Sequence, residues 1–370
     1  MDDTVQGIFF DEKGECNFCK IHNEMEKEYP HDESLKKRMD KLIDVIKKDG
    51  KGKKYDCIVG VSGGIDSTYS LYIAVKIGLR PLAVHMDNGW DSELAVNNIE
   101  RMLKKMGVEL HTIVLDWEEF KDLQISFLKA SVPDVEMPTD VAITSVLYRV
   151  TKEEKLHYIL NGQSFRTGGK CPIAWNYGDK KYIKSVHQIF GNKKIKSFPN
   201  LSIEEQISFM FINKIKFVPI LNYVDYDVNN VKNLLEREVN WRDYNIKHYE
   251  SIYTRFVQSY LLPKKFNIDK RKIHFSALIR SGQMTREKAL ENIKELPYQE
   301  NKIEEDKEYV IKKFGFTKEE FEEIMSRQPK LFLDYPNSFR LQRFLIKFGY
   351  KIGKLSKKHK YYEWNSLLKT

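Results

Sequence analysis

No run of 18 apolar residues occurs anywhere in the 370 residues, so no segment reads as a membrane-spanning helix. The opening Met1-Asp2-Asp3-Thr4 is acidic and carries no apolar core of the kind a secretory leader needs. Four cysteines in so long a chain are too few for a disulfide framework. These absences point to a protein of the reducing cytoplasm. The glycine-containing turn after the first strand pattern has no Gly-Lys-Ser/Thr and no G-x-G-x-x-G, which excludes the Walker A loop and the dinucleotide fingerprint.

What remains is a globular composition, 41% hydrophobic and 12% aromatic, in a chain long enough for more than one core. The net charge of +9 is uneven. Residues 346–370 hold seven lysines (347, 351, 354, 357, 358, 360 and 369) against Glu363, so most of the excess sits in a C-terminal tail. Tyr350, Tyr361, Tyr362 and Trp364 interleave there, which suits either an RNA contact or a solvated helix end docking an acidic partner. The uneven charge therefore makes nucleic acid an unlikely partner.

Three regions are expected. Residues 1–50 carry a Cys-x-x-Cys at Cys16 and Cys19 and one amphipathic helix over 33–48. Residues 51–200 alternate strands (57–61, 81–86, 108–115, 156–160) with helices, which predicts an α/β fold: a parallel sheet with helices on both faces. Residues 201–370 read as mostly helical, with little strand signal beyond Phe217–Leu221. In parallel sheets ligands bind beyond the carboxyl ends of the strands. The polar exits 62–67, 85–90 and 161–164 all lie on that edge.

The first exit, Ser62-Gly63-Gly64-Ile65-Asp66-Ser67, follows the apolar run Cys57–Val61. Two glycines and two hydroxyls ahead of a helix form a phosphate cradle, because glycine admits an anion to the backbone and the helix offers unpaired N–H groups. Ser62, Gly63, Gly64 and Ser67 are expected on pyrophosphate oxygens. Asp66 is expected on Mg²⁺, with a helix-dipole role as the plain alternative. Asp87 and Asn88 suit the ribose or base, or a simple turn. Gly162 and Gln163 give backbone access to the nucleotide. In the long loop 166–181, Lys170, Lys180 and Lys181 are candidates to neutralise phosphate, and Trp175 to stack on a sugar or base. In 241–255, Lys247 and Arg255 are expected to reach an anionic substrate. His248 is a candidate proton carrier or substrate contact. Cys16 and Cys19 supply two of the four ligands a structural zinc needs.

The 62–67 segment resembles the PP-loop of ATP pyrophosphatases, which cleave ATP between its α and β phosphates. A narrower resemblance rests on Cys16-Asn17-Phe18-Cys19, Asp87-Asn88-Gly89-Trp90, Pro138-Thr139-Asp140 and Trp241-Arg242-Asp243-Tyr244. Lys247-His248-Tyr249-Glu250-Ser251 and Ser281-Gly282-Gln283-Met284-Thr285-Arg286 extend it. On these segments the chain resembles the N-acetyl sugar amidotransferases of bacterial surface-polysaccharide and nonulosonic-acid biosynthesis. The resemblance implies ATP and Mg²⁺, adenylation of an acetamido oxygen, and attack by ammonia to give an acetamidino group. It also implies separate glutaminase and ammonia-channelling subunits as partners; this sequence shows no glutaminase signature. Family members carry an earlier Cys-x-x-Cys ahead of the segment matching Met1, so the zinc set implied here is incomplete. Two other readings stay open: a PP-loop tRNA thiolase and a non-enzymatic adenine-nucleotide sensor.

Overall fold

The protein is described from a computed structural model, covering residues 1–244 and 248–351. Two helices open the chain, α1 (Asn17–Glu28) and α2 (Glu33–Asp49). Then come β1 (Cys57–Gly60), α3 (Ile65–Lys76), β2 (Pro81–Asp87), α4 (Glu93–Met106), β3 (Leu110–Val114), α5 (Trp117–Ala130), α6 (Met137–Glu153) and β4 (Tyr158–Asn161). After α7 (Lys180–Phe190) a fifth strand follows, β5 (Lys216–Pro219), and the remaining described elements are helical.

The five strands form one sheet in the order β3-β2-β1-β4-β5, and every pairing is parallel. Alternate side chains of a strand point to opposite faces, so a sheet covered on both sides needs continuous apolar runs. Cys57, Val59, Ala83, Tyr158 and Leu160 pack on one face with α3, α4 and the helix Val228–Val239. Ile58, Leu82, Val84 and Ile159 pack on the other with Val146, Leu147 and Val150 of α6. The expected doubly covered parallel sheet is therefore present.

The helix ends follow local chemistry. Gly78 and Gly107, both with positive φ, stop the chain after α3 and α4. Ser92 and Asp116 cap α4 and α5 with side-chain oxygens on Ala95 and Glu119 N–H.

A third core is aromatic and helical. It joins Phe18 and Ile21 of α1, Phe120 and Phe127 of α5, and Tyr182 of α7 to Phe256, Phe314, Phe321 and Phe332. Packing thus crosses both expected boundaries, at 50 and at 200. Residues 117–135 and 173–190 pack in the helical core, while β5 completes the sheet from beyond residue 200. The bidentate pair of Arg166 with Glu26, at 3.0 and 2.5 Å, ties α1 to the loop after β4. No described helix is long and apolar enough to cross a membrane.

Candidate active site

At the carboxyl edge of the sheet a cavity of about 820 Å³ opens. Its walls include Ser62 and Asp66 from the first exit, His85 and Asn88 from the second, and Gly162 and Gln163 from the third. The three exits expected to meet in one pocket do so. Gly64 caps α3 without a side-chain hydrogen bond, leaving that helix start open to an anion. Gly63 has φ +79°, and a Cβ there would lie 2.6 Å from the Ala95 carbonyl oxygen. No other residue fits that turn. Gly162 is needed for a different reason: a Cβ would come within 2.8 Å of the Asp66 backbone, so the third exit lies against the start of α3.

The loop is held from above by a distant segment. The Trp241 indole N–H donates to the Gly63 carbonyl at 2.8 Å, and the Tyr244 hydroxyl donates to the same oxygen at 3.1 Å. Trp90–Ser92 and Glu250–Ile252 pair as a short bridge, with Ser92 N–H on the Glu250 carbonyl at 2.9 Å and Ile252 N–H on the Trp90 carbonyl at 2.9 Å. That pairing delivers the Glu250 carboxylate to the cradle. The Ser62 hydroxyl donates to its Oε1 at 3.2 Å, and a Cβ at Gly64 would meet the same oxygen at 2.6 Å. Inside the loop, Ser62 N–H donates to Ser67 Oγ at 3.2 Å, and Ser67 Oγ donates to the Gly64 carbonyl at 3.1 Å. Asp66 accepts a hydrogen bond from the Tyr226 hydroxyl. Burial and that carboxylate push the Tyr226 hydroxyl pKa far up, so the tyrosine remains a donor.

His85 sits directly behind the loop. Its Nδ1 is 3.0 Å from the Val61 carbonyl and its Nε2 is 3.0 Å from Asp91 Oδ2. Both partners are acceptors, an arrangement that favours a ring protonated on both nitrogens. Burial opposes that charge, but Asp91, the Val61 carbonyl and Asp87 outweigh it and hold the pKa above the usual histidine value.

Other expected residues are placed differently. Asp87 and Asn88 accept from Gly89 and Trp90 N–H in tight turns; only Asn88 reaches the cavity wall. Lys170 and His248 line the cavity. Lys180 does not. It starts α7, half exposed, and pairs with Glu205 at 3.1 Å. The expectation that Lys180 acts on phosphate is corrected, because an α7 start facing Glu205 points it elsewhere. Trp175 is 4% exposed in a short 3₁₀ turn within the aromatic core, so it packs rather than stacks on a ligand. Arg255 is held bidentately by Asp306 at 2.5 and 2.6 Å and is spent on that pair. Lys247 and most of the basic tail lie outside the described residues.

Cys16 caps α1, and its sulfur is 3.4 Å from that of Cys19. Among the described residues no third His, Cys, Asp or Glu joins them as a ligand group, so the donor set does not fit a zinc ion. Arg280 donates to Cys19 Sγ at 3.7 Å.

Several wall residues carried no local sequence signal. Glu250 and Asp140 lie within segments that the resemblance singled out, but no role attached to them. Lys270 lies between the stretches read as helical and reaches the cavity only through the tertiary fold, and Tyr226 meets the site through Asp66.

Two family descriptions match parts of this chain. Residues 56–150 match "Queuosine biosynthesis protein QueC", and residues 250–351 match "LPS biosynthesis protein WbpG-like, C-terminal domain". Together the two matches support an N-acetyl sugar amidotransferase-like protein of the PP-loop ATP pyrophosphatase kind. The chain is 30% identical over 166 residues to an uncharacterized protein of Methanocaldococcus jannaschii, covering 45% of this chain and 57% of that one. It is also 30% identical over 140 residues to the 7-cyano-7-deazaguanine synthase of Rickettsia canadensis, covering 35% of this chain and 62% of that one. The chain thus spans less than two thirds of either curated relative. Among solved structures, it is similar to an NH3-dependent NAD synthetase from Campylobacter jejuni. That match has 16% identity and a TM-score of 0.28, and covers 56% of this chain and 93% of the other.

Proposed function

We propose that the protein is an ATP-dependent amidotransferase acting on an N-acetyl sugar in bacterial surface-glycan synthesis. It transfers AMP to the acetamido carbonyl oxygen, and ammonia then displaces AMP to leave an acetamidino group. One observation carries this reading. The stretch resembling the WbpG-like domain supplies Glu250, Tyr253, Thr254 and Lys270 to the same cavity into which the QueC-like stretch puts Ser62, Asp66 and His85. The phosphate end and the end contributed by the second stretch are thus continuous.

The residues divide the work. The Gly63–Ser67 backbone, Ser62 and Ser67 hold the triphosphate tail, and the His85 cation behind the loop offsets its charge. Asp66 is the carboxylate placed to hold Mg²⁺, which when bound screens the triphosphate and eases departure of pyrophosphate. Asn88, Gly162 and Gln163 border the nucleotide, and Lys170 and His248 face the acceptor. No protein nucleophile is needed; positioning and charge are what the chain supplies. Ammonia comes from a partner glutaminase through a channelling subunit, and the reaction takes place in the cytoplasm.

The test is mass spectrometry of N-acetyl sugars incubated with the protein, ATP, Mg²⁺ and ammonium. The expected product has NH in place of oxygen and appears with equimolar AMP and pyrophosphate. ATP bound without pyrophosphate release for every amide offered would favour the nucleotide sensor instead. A tRNA thiolase is a second reading, favoured by Cys171 in the cavity wall. It requires tRNA binding that weakens steeply with salt.

A further inference from the structure

Away from the phosphate cradle, one wall of the cavity concentrates charge that ATP binding does not use. Glu136 and Asp140 bracket the first turn of α6, whose start lies at the carboxyl edge of the sheet because α6 runs back to feed β4. Lys270, from the WbpG-like stretch, donates to Glu136 Oε2 at 3.3 Å with only 16% of its side chain exposed. Burial works against the Lys270 cation, but Glu136, Cys171 and Asp140 raise its pKa and keep it charged. Asp140 accepts from the Asn176 side chain and stands exposed on the cavity wall. Tyr253 completes the wall. Its hydroxyl is buried and has no hydrogen-bond partner among the described residues. A buried, unpaired hydroxyl is costly unless a ligand satisfies it.

With both carboxylates ionised the cluster has one negative charge more than Lys270 cancels. It therefore favours a ligand that carries or gains positive charge. In the proposed reaction the second step does this: neutral ammonia attacks and the nitrogen becomes cationic.

We propose that Asp140 is the general base that takes the proton from the attacking ammonia, with Glu136 and Lys270 as its positioning residues; this rests on the amidotransferase reading above. The ammonia lone pair forms the new C–N bond at the adenylated carbon. One N–H proton passes to an Asp140 oxygen, the C–O bond to AMP breaks, and its electron pair leaves on the AMP phosphate. The product is an amidinium, and Asp140 returns its proton to water. Partial desolvation of the carboxyl on the cavity wall first, and Glu136 second, raise the Asp140 pKa to about 6 against the opposing pull of Lys270 and Asn176. The carboxylate is then ionised at neutral pH and more basic than an ordinary aspartate.

Two readouts separate the steps. Sugar-dependent exchange of labelled pyrophosphate into ATP reports adenylation, and mass spectrometry reports amidine. In Asp140→Asn we expect exchange within about twofold of wild type and amidine formation lower by about 100-fold or more. Replacing ammonia with hydroxylamine, whose adduct loses its proton to water more easily, recovers product at least about tenfold. In Glu136→Gln the rising limb of the kcat profile, near pH 6 in wild type, moves to lower pH. The assignment is overturned if Asp140→Asn forms amidine at near-wild-type rate, if exchange and product fall together, or if the limb in Glu136→Gln stays put. If no N-acetyl sugar drives exchange in the wild type, the amidotransferase reading itself fails and this assignment falls with it.

Discussion

Ser62 and Glu250, 188 positions apart, meet at 3.2 Å, with the hydroxyl of the phosphate cradle donating to the carboxylate. A negative group thus rests where a phosphate oxygen is expected. Two unit charges about 4 Å apart interact by about 1 kcal/mol in water and about 4 kcal/mol near a protein surface. Glu250→Gln is therefore expected to tighten binding of metal-free pyrophosphate by about 5- to 10-fold, read by titration calorimetry. Unchanged or weaker affinity would show that the carboxylate leaves the cradle without cost.

The parallel sheet and its phosphate-binding edge were legible in the sequence. Continuous apolar runs such as Cys57–Val59 mark strands covered on both faces, and the glycines after them mark the turn. β5 was harder to read, because Lys216–Pro219 is short and stands alone among helices. The misplaced residues share a cause. Lys180, Trp175 and Arg255 are residue types that commonly meet ligands, but Glu205, the aromatic core and Asp306 claim them, and Glu205 and Asp306 lie 25 and 51 positions from the residues they hold. The wall of Glu136, Asp140, Tyr253 and Lys270 draws on two separate stretches of chain, which no local pattern joins.

His85 gives a pH signature. Its folded pKa lies above the ordinary value of 6.5, so its contribution to stability is fully present below about pH 6.5 and is lost as pH rises through the folded pKa. Hydrogen bonds to a charged group are worth about 1.5–3 kcal/mol. His85→Gln should therefore lose about that much stability at pH 6 and distinctly less at pH 9, in urea unfolding followed by circular dichroism. A loss that is equal at both values would mean that the ring is neutral in the fold.

Arg255 and Asp306 form a structural pair in this fold. Arg255 is 20% exposed and Asp306 is 7% exposed. Removing one partner of a buried pair costs about 3–5 kcal/mol, whereas replacing both with apolar residues is often neutral. Arg255→Met alone should unfold at much lower denaturant. Arg255→Met combined with Asp306→Leu should recover most of the stability and the pyrophosphate release. Stability regained without activity would return Arg255 to the catalytic set.

Lys180 and Asp66 make opposite predictions about the same reaction. The Lys180–Glu205 pair is exposed on both sides, and such pairs contribute about 0–1 kcal/mol. Nothing places the ammonium in the cavity, so Lys180→Ala should keep sugar-dependent pyrophosphate release within about twofold, the discount expected of a surface change. Asp66 stands in the first turn of α3 beside the cradle, with Tyr226 fixing one carboxylate oxygen. Asp66→Asn keeps the size and accepts the same hydrogen bond but gives up the charge a hard cation needs. Pyrophosphate release should fall by about 100-fold or more in that variant, with the thermal midpoint little changed. If Lys180→Ala were the slow variant and Asp66→Asn the active one, the phosphate end of the cavity would have been assigned to the wrong wall.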